Sequence, residues 1–83
     1  MKNWCVYVLR CVDDSMYCGC TNDLPRRVNE HSKGTGAKYT RSRCPVTLIV
    51  SWPADSRSDA LRKEAAFKRL TRKEKIEWIK NLP

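Results

Sequence analysis

Residues 4–11, WCVYVLRC, are apolar at both parities, with Val6 and Val8 on one side and Tyr7 and Leu9 on the other. A strand with one wet face alternates apolar and polar residues, so a run like this one has to be covered on both faces. In a chain of 83 residues that requirement leaves few architectures. It calls for a small sheet with packed layers above and below, and the later elements must supply the cover. Asp13-Asp14-Ser15 is turn chemistry. Residues 16–21 then alternate, with Met16, Cys18 and Cys20 against Tyr17, Gly19 and Thr21. The two runs read as a β-hairpin.

Asn22 or Asp23 can cap a helix that has Pro25 in its first turn. Leu24, Val28 and His31 mark its inner face, and Gly34 with Gly36 ends it. A basic loop, SKGTGAKYTRSRCP, leads to a third strand at 46–52, closed by Pro53. Ser56 or Ser58 opens a helix that runs to about Leu70. Thr71-Arg72-Lys73-Glu74 is a capping box that starts a last helix through Lys80. The expectation is one α+β domain over residues 1–83, in the order β-β-α-loop-β-α-α, with a small three-stranded, largely antiparallel sheet flanked by helices.

Seventeen Lys and Arg against nine Asp and Glu give a net charge of +8. On so small a surface, this favours a polyanionic partner, nucleic acid above all, over a basic surface that is only solvated. Lys33, Lys38, Arg41 and Arg43 in the basic loop, with Lys68 on the later helix, are the candidate phosphate contacts. No apolar run reaches the roughly 18 residues of a membrane span. The N-terminal MKNWCVYVLRC contains Arg10 and lacks a small-residue cleavage site. An intracellular protein, cytoplasmic or nuclear and without a membrane partner, is therefore expected.

The five cysteines, at 5, 11, 18, 20 and 44, cannot all pair within one chain. A C-x-C pair without a second knuckle or histidines is a poor zinc pattern. They read as small buried hydrophobes, with zinc and redox chemistry as the competing uses.

Other residues fit packing less easily. Arg27 and His31 are i, i+4 neighbours that line up with Leu24 and Val28, beside the inner stripe. Glu64 shares a face with Ala60, Leu61 and Phe67. A carboxylate there needs a partner or a metal, and an i, i+4 ion pair with Lys68 is the simpler account. Tyr7 and Tyr17 share a sheet face only if the hairpin loop has an odd number of residues. A three-residue loop, Asp13 to Ser15, pairs Cys11 with Tyr17 and satisfies this; a two-residue turn separates the phenols. With an odd loop, two phenols, Arg27, His31 and Glu64 form a cluster suited to metal-assisted attack on a phosphodiester.

In their order and spacing, CVYV at 5–8, YCG at 17–19, Arg27, His31 and Glu64 resemble the GIY-YIG nuclease family. GTGAKYTR at 34–41 and SRSDALRKEAAFKRLTRKEK at 56–75 are similar to its small stand-alone, YhbQ-like branch, over nearly the whole chain. The resemblance implies that Tyr7 and Tyr17 are the motif tyrosines and that Arg27 contacts the scissile phosphate. It implies that His31 is an active-site histidine and that Glu64 binds Mg²⁺ or Mn²⁺. The implied activity is metal-dependent endonucleolytic hydrolysis of DNA, with a tyrosine as general base or water-positioning group. Selectivity for branched or nicked DNA, and a protein partner that supplies specificity, belong to the same expectation. A nucleic-acid-binding module that keeps the fold without catalysis is the alternative. Gly19 is expected to let a backbone or phosphate come close, and Arg27 with the metal to lower a phenol pKa. The chain departs from the family pattern at Cys5 and Val6, where the name has Gly and Ile, and at Cys18, which replaces an aliphatic residue. It also lacks the asparagine many members carry after the glutamate; Ile76 and Ile79 stand there, and Asn81 is the one candidate.

Overall fold

In the computed structural model, which describes residues 3–82, the chain runs β1 (Cys5–Arg10), β2 (Met16–Thr21), α1 (Leu24–Ser32), α2 (Lys38–Arg41), β3 (Thr47–Pro53), α3 (Arg57–Lys68) and α4 (Arg72–Lys80). The strand order is β2-β1-β3 and both pairings are antiparallel. The strand that is apolar at both parities is thus the central one. Val6 and Val8 are fully buried on the side of α3, and Tyr7 and Leu9 are as deeply buried on the side of α1.

The hairpin keeps the parity that unites the tyrosines but not the pairing expected for an Asp13–Ser15 loop. Arg10 pairs with Met16, Leu9 with Tyr17 and Tyr7 with Gly19, so residues 11–15 form the loop. Local polar bonds tie that loop off early. The Cys11 amide donates to the Ser15 carbonyl at 2.8 Å, and the Asp13 carboxylate accepts from the Ser15 amide at 3.1 Å. Asp14 takes a left-handed φ of 68°, a conformation aspartate tolerates better than most residues. The Val12 amide turns instead to the Arg43 carbonyl, at 3.0 Å. On the other side of β1 the register shifts: Val8 faces Val50 but Leu9 faces Leu48, leaving Ile49 as the extra residue of a bulge.

The helix signals hold with small changes. The Asp23 side chain caps α1 by accepting from the Arg26 amide, and Ser56 caps α3 by accepting from the Asp59 amide. Thr71 and Glu74 make both reciprocal bonds of the capping box that opens α4. Helix α3 stops at Lys68, short of the expected Leu70. The loop expected to be irregular contains α2, a single helical turn.

The apolar core lies between the sheet and α3. Val6, Val8, Cys18, Ala60 and Phe67 form it, and Trp52 and Ile79 pack against it. Trp52, Phe67 and Trp78 make an aromatic cluster with ring centroids 4.5–5.8 Å apart. Leu61, assigned to the inner face of α3 from its spacing, is 46% exposed, because the face that meets the sheet runs through Ala60 and Phe67. All five cysteines carry free thiols. Burial first, and then the charge of Glu64, pushes the Cys18 thiol up to about 12. Such a thiol is neutral near pH 7 and packs as a small hydrophobe.

Gly19 faces Tyr7 across the ladder, and the tyrosine ring lies over it. A Cβ at position 19 would stand 2.6 Å from Tyr7 Oη and 2.8 Å from Tyr7 Cζ. The space expected for a backbone or a phosphate therefore belongs to Tyr7. The ring is buried and its hydroxyl is hydrogen-bonded, so it has little freedom to swing away. Gly19→Ala should destabilise the domain by about 1–3 kcal/mol, the usual cost of overpacking. Urea denaturation should show it as a lower midpoint at unchanged slope.

Candidate active site

Tyr7 and Tyr17 project from the α1 side of the sheet with ring centroids 6.4 Å apart. The α1 helix brings three groups to them. His31, fully buried, places Nε2 2.9 Å from Tyr7 Oη, and its ring centroid lies 5.1 Å from that of Tyr17. Arg27 lies one turn earlier, and its guanidinium charge acts on the Tyr7 and Tyr17 phenols. Glu30 aims that guanidinium through a 3.1 Å ion pair and also draws on Arg26 at 3.5 Å. Sequence spacing had brought Arg27 and His31 into view but not Glu30, which reads as an ordinary helix-surface acid.

The loop completes this half of the site. His31 Nδ1 lies 2.7 Å from Thr40 Oγ1 and 3.4 Å from the Ala37 amide nitrogen. Thr40 is fully buried. Gly36 lets the loop backbone press on the imidazole, since a Cβ there would sit 2.5 Å from Nδ1. Tyr39 leans on Tyr17, with ring centroids 5.9 Å apart and 28° between planes, and the Arg43 guanidinium lies 4.1 Å above the Tyr39 ring. Neither Thr40 nor Tyr39 stood out in the sequence. A single turn of helix has no periodicity to reveal it, although both residues lie inside GTGAKYTR.

The second half comes from α3 on the opposite side of the sheet. Since β2 is an edge strand, side chains of α3 can reach round it. Lys68 Nζ lies 6.0 Å from the centre of the Tyr17 ring. It also holds Glu64 Oε2 at 2.6 Å, so the simple i, i+4 pair is formed. The Glu64 side chain is 18% exposed, and its charge acts on Tyr17, Cys18 and Cys20. The two phenols, Arg27 and His31 are thus brought together, and Glu64 is joined to Tyr17 through Lys68.

The basic residues divide. Lys33, Lys38 and Arg41 are exposed and flank the α2 loop. Lys68 belongs to the site itself. Arg43 is engaged within the fold, by Asp13 at 3.1 Å and the Tyr39 carbonyl at 2.8 Å. Asn81 caps the end of α4 and lines a surface hollow with Leu70 and Trp78 instead of joining the phenols.

The electrostatics correct the part of one expectation that rested on Arg27 alone. Burial raises both phenols above the ordinary tyrosine pKa. At Tyr7 Arg27 opposes the rise, and at Tyr17 Lys68 and then Arg27 do so, but burial dominates in each case. Both tyrosines are therefore neutral phenols near pH 7. His31 moves the other way, its pKa lowered by burial first and by Arg27 second, against a smaller opposing pull from Glu30.

Glu64 is the carboxylate a metal would find beside Lys68, and no group of three or more His, Cys, Asp or Glu side chains clusters for metal binding among the described residues. That donor set fits a hydrated Mg²⁺, which keeps most of its waters and takes further oxygens from a substrate phosphate. It does not fit an ion caged by protein alone.

The profile of the GIY-YIG catalytic domain matches residues 3–77. A UPF0213 protein of Xanthomonas axonopodis pv. citri is 46% identical over 83 residues, which cover 100% of this chain and 81% of that protein. One from Streptococcus agalactiae serotype V is 49% identical over 75 residues, covering 90% of this chain and 85% of that protein. The solution NMR structure of the UPF0213 protein BH0048 from Bacillus halodurans superposes with a TM-score of 0.62 at 42% identity, over 94% of this chain and 83% of that one. That of EF2693 from E. faecalis gives 0.66 at 48% identity, over 96% and 85%.

The lowered His31 pKa has a consequence for stability. The unfolded chain binds a proton at histidine near pH 6.5, whereas the folded chain resists it. The stabilisation is complete above about pH 6.5 and is lost as pH falls below it, with a slope of up to about 1.4 kcal/mol per pH unit. Arg27, Glu30, Tyr7 and Tyr17 are the titratable groups facing the ring. Both phenols are neutral throughout this window. The chain has one histidine, so urea unfolding between about pH 5 and 6.5 isolates it. His31→Gln should flatten the slope.

Proposed function

This chain belongs to the family of GIY-YIG catalytic domains, and from that membership we propose that it hydrolyses DNA phosphodiester bonds as a metal-dependent endonuclease. The observation that carries the reading is the convergence of Tyr7, Tyr17, Arg27 and His31 on one sheet face, with Lys68 of the Glu64–Lys68 pair reaching Tyr17. An in-line displacement at phosphorus needs an oriented water, a cationic fork on the non-bridging oxygens and charge relief for the leaving oxygen. Tyr17 is half-buried, more open than Tyr7, and its hydroxyl orients the water. Arg27 presents its fork to the phosphate, with Glu30 fixing its direction. Glu64 holds a Mg²⁺ or Mn²⁺ ion, which when bound supplies Lewis-acid stabilisation of the phosphoryl oxygens. Lys33, Lys38 and Arg41 hold the flanking backbone. The reading extends to a duplex presented by its shape, as at a branch or nick, or by a protein partner.

One observation favours the non-catalytic alternative: Lys68 already neutralises Glu64. Incubating the protein with duplex, nicked, flap and four-way-junction DNA in Mg²⁺ or EDTA decides between them. Binding without cuts in every case would leave a binding module.

Tyr17→Phe keeps the ring and removes only the hydroxyl, so turnover should fall by about 10²–10⁴ with DNA affinity nearly unchanged. Glu64→Ala should abolish cleavage, leave the domain folded by circular dichroism and retain DNA binding in gel shifts. Parental turnover in Glu64→Ala would remove the metal from that position.

A further inference from the structure

The His31 imidazole has different company at its two nitrogens. Nε2 faces Tyr7 Oη at 2.9 Å. Nδ1 faces Thr40 Oγ1 at 2.7 Å and the Ala37 amide nitrogen at 3.4 Å. An amide N–H can only donate, so the Nδ1 it points to carries the ring's lone pair. The Thr40 hydroxyl can act either way, and the surroundings of Ala37 decide. The Ala37 carbonyl already accepts the amides of Thr40 and Arg41, at 3.2 and 3.1 Å. Those two bonds fill both of its lone pairs, although Thr40 Oγ1 also lies within 3.0 Å of it. The hydroxyl proton is better used on the shorter contact, toward Nδ1. Gly36 is part of the same arrangement, because any side chain there would push the loop off the ring.

In a neutral imidazole the bond made at one nitrogen sets the state of the other. We infer that Thr40, with the Ala37 amide, holds His31 as the neutral Nε2–H tautomer, so that His31 donates a hydrogen bond to Tyr7 instead of taking its proton. Thr40 is then a positioning residue that acts through His31, and this deepens the proposed function, on which its meaning for turnover rests. The consequence falls on Tyr7. Its oxygen receives the His31 N–H at 2.9 Å, and the Arg27 charge acts on the same phenol. The phenol's own proton is left for the substrate side, and the His31 N–H, with the Arg27 charge behind it, stands ready for any negative charge that develops on the oxygen.

The test reads the tautomer directly and needs neither DNA nor metal, so its failure is separable from a failure to cleave. Because His31 is the only histidine in the chain, long-range ¹H–¹⁵N correlation spectra of the labelled protein above pH 7 contain one imidazole. The expected pattern is a protonated, pyrrole-like Nε2 and a pyridine-like Nδ1, retained in Thr40→Ser. Thr40→Val keeps the shape but removes the hydroxyl, and should shift the tautomer ratio by up to about tenfold, the scale of one lost hydrogen bond. A pyridine-like Nε2 in the unsubstituted protein overturns the inference. An unchanged ratio in Thr40→Val removes Thr40 from it. Should the valine variant fail to fold, the spectrum of the unsubstituted protein still decides the tautomer.

Discussion

The hydrogen bond between Tyr7 and His31 joins the central strand to the first helix in the interior, and the rest of the site is arranged around it. Both side chains are nearly or fully shielded from water. A buried hydroxyl or imidazole left without a partner costs about 1–3 kcal/mol, so each group confines the other. Their mutual constraint passes outward. Gly19 has to be glycine because the Tyr7 ring occupies the space above it. His31 in turn reaches Thr40, and Thr40 fixes the helical turn α2 under the basic loop. The Cys44 thiol adds to the same layer by donating to the carbonyls of His31 and Thr40, at 3.0 and 3.2 Å. Among the described residues no buried side-chain nitrogen or oxygen lacks a hydrogen-bond partner. The polar half of this small interior is therefore fully hydrogen-bonded, and each group limits the movement of the next.

Charge is distributed differently. Glu64 and Lys68 come from the far side of the sheet, and Lys68 reaches Tyr17 because β2 has no strand beyond it. An inner strand would have walled them off. In the free protein, Lys68 stands where a divalent cation would be expected on Glu64. A pair of this exposure is worth little, on the order of 1 kcal/mol or less, so an incoming doubly charged ion can displace the ammonium at small cost. Both phenols meanwhile stay neutral. The resting site carries its cations forward and holds back its anions, a state suited to receiving a phosphate.

Much of this was legible in residues 4–21, and the reason is geometric. Period-two patterning fixes which face each side chain takes once the loop parity is known, so an odd loop was enough to unite Tyr7 and Tyr17. It does not fix the pairing, since loops of three and five residues give the same parity. Bonds at Cys11, Asp13 and Ser15 chose five. The capping box at Thr71 was readable outright, and Asp23 and Ser56 each as one of two candidates, because capping is local chemistry. The failures involve contacts with no local signature. Nothing near Arg43 says that Asp13, 30 residues away in sequence, will take its guanidinium. Thr40 has no periodic neighbours, and its role exists only once His31 is in place.

The same alternation divides the apolar core from the candidate site along a single strand. Val6 and Val8 point to the apolar core with Cys18, Ala60 and Phe67, whereas Tyr7 points to His31. Core and site are thus backed onto each other, one residue apart. A register slip of one position would exchange the two sets, placing a phenol in the apolar core and a valine against the imidazole. Both faces oppose that slip, since each would lose its matching layer at once. The bulge at Ile49 shows how the fold absorbs an irregularity without such an exchange. The extra residue lies on the edge strand β3, so β1 keeps its alternation through Leu9 and its pairing with β2 throughout. The irregularity is confined to the edge away from the chemistry, and the strand that carries Tyr17 and Gly19 pairs with β1 without a break.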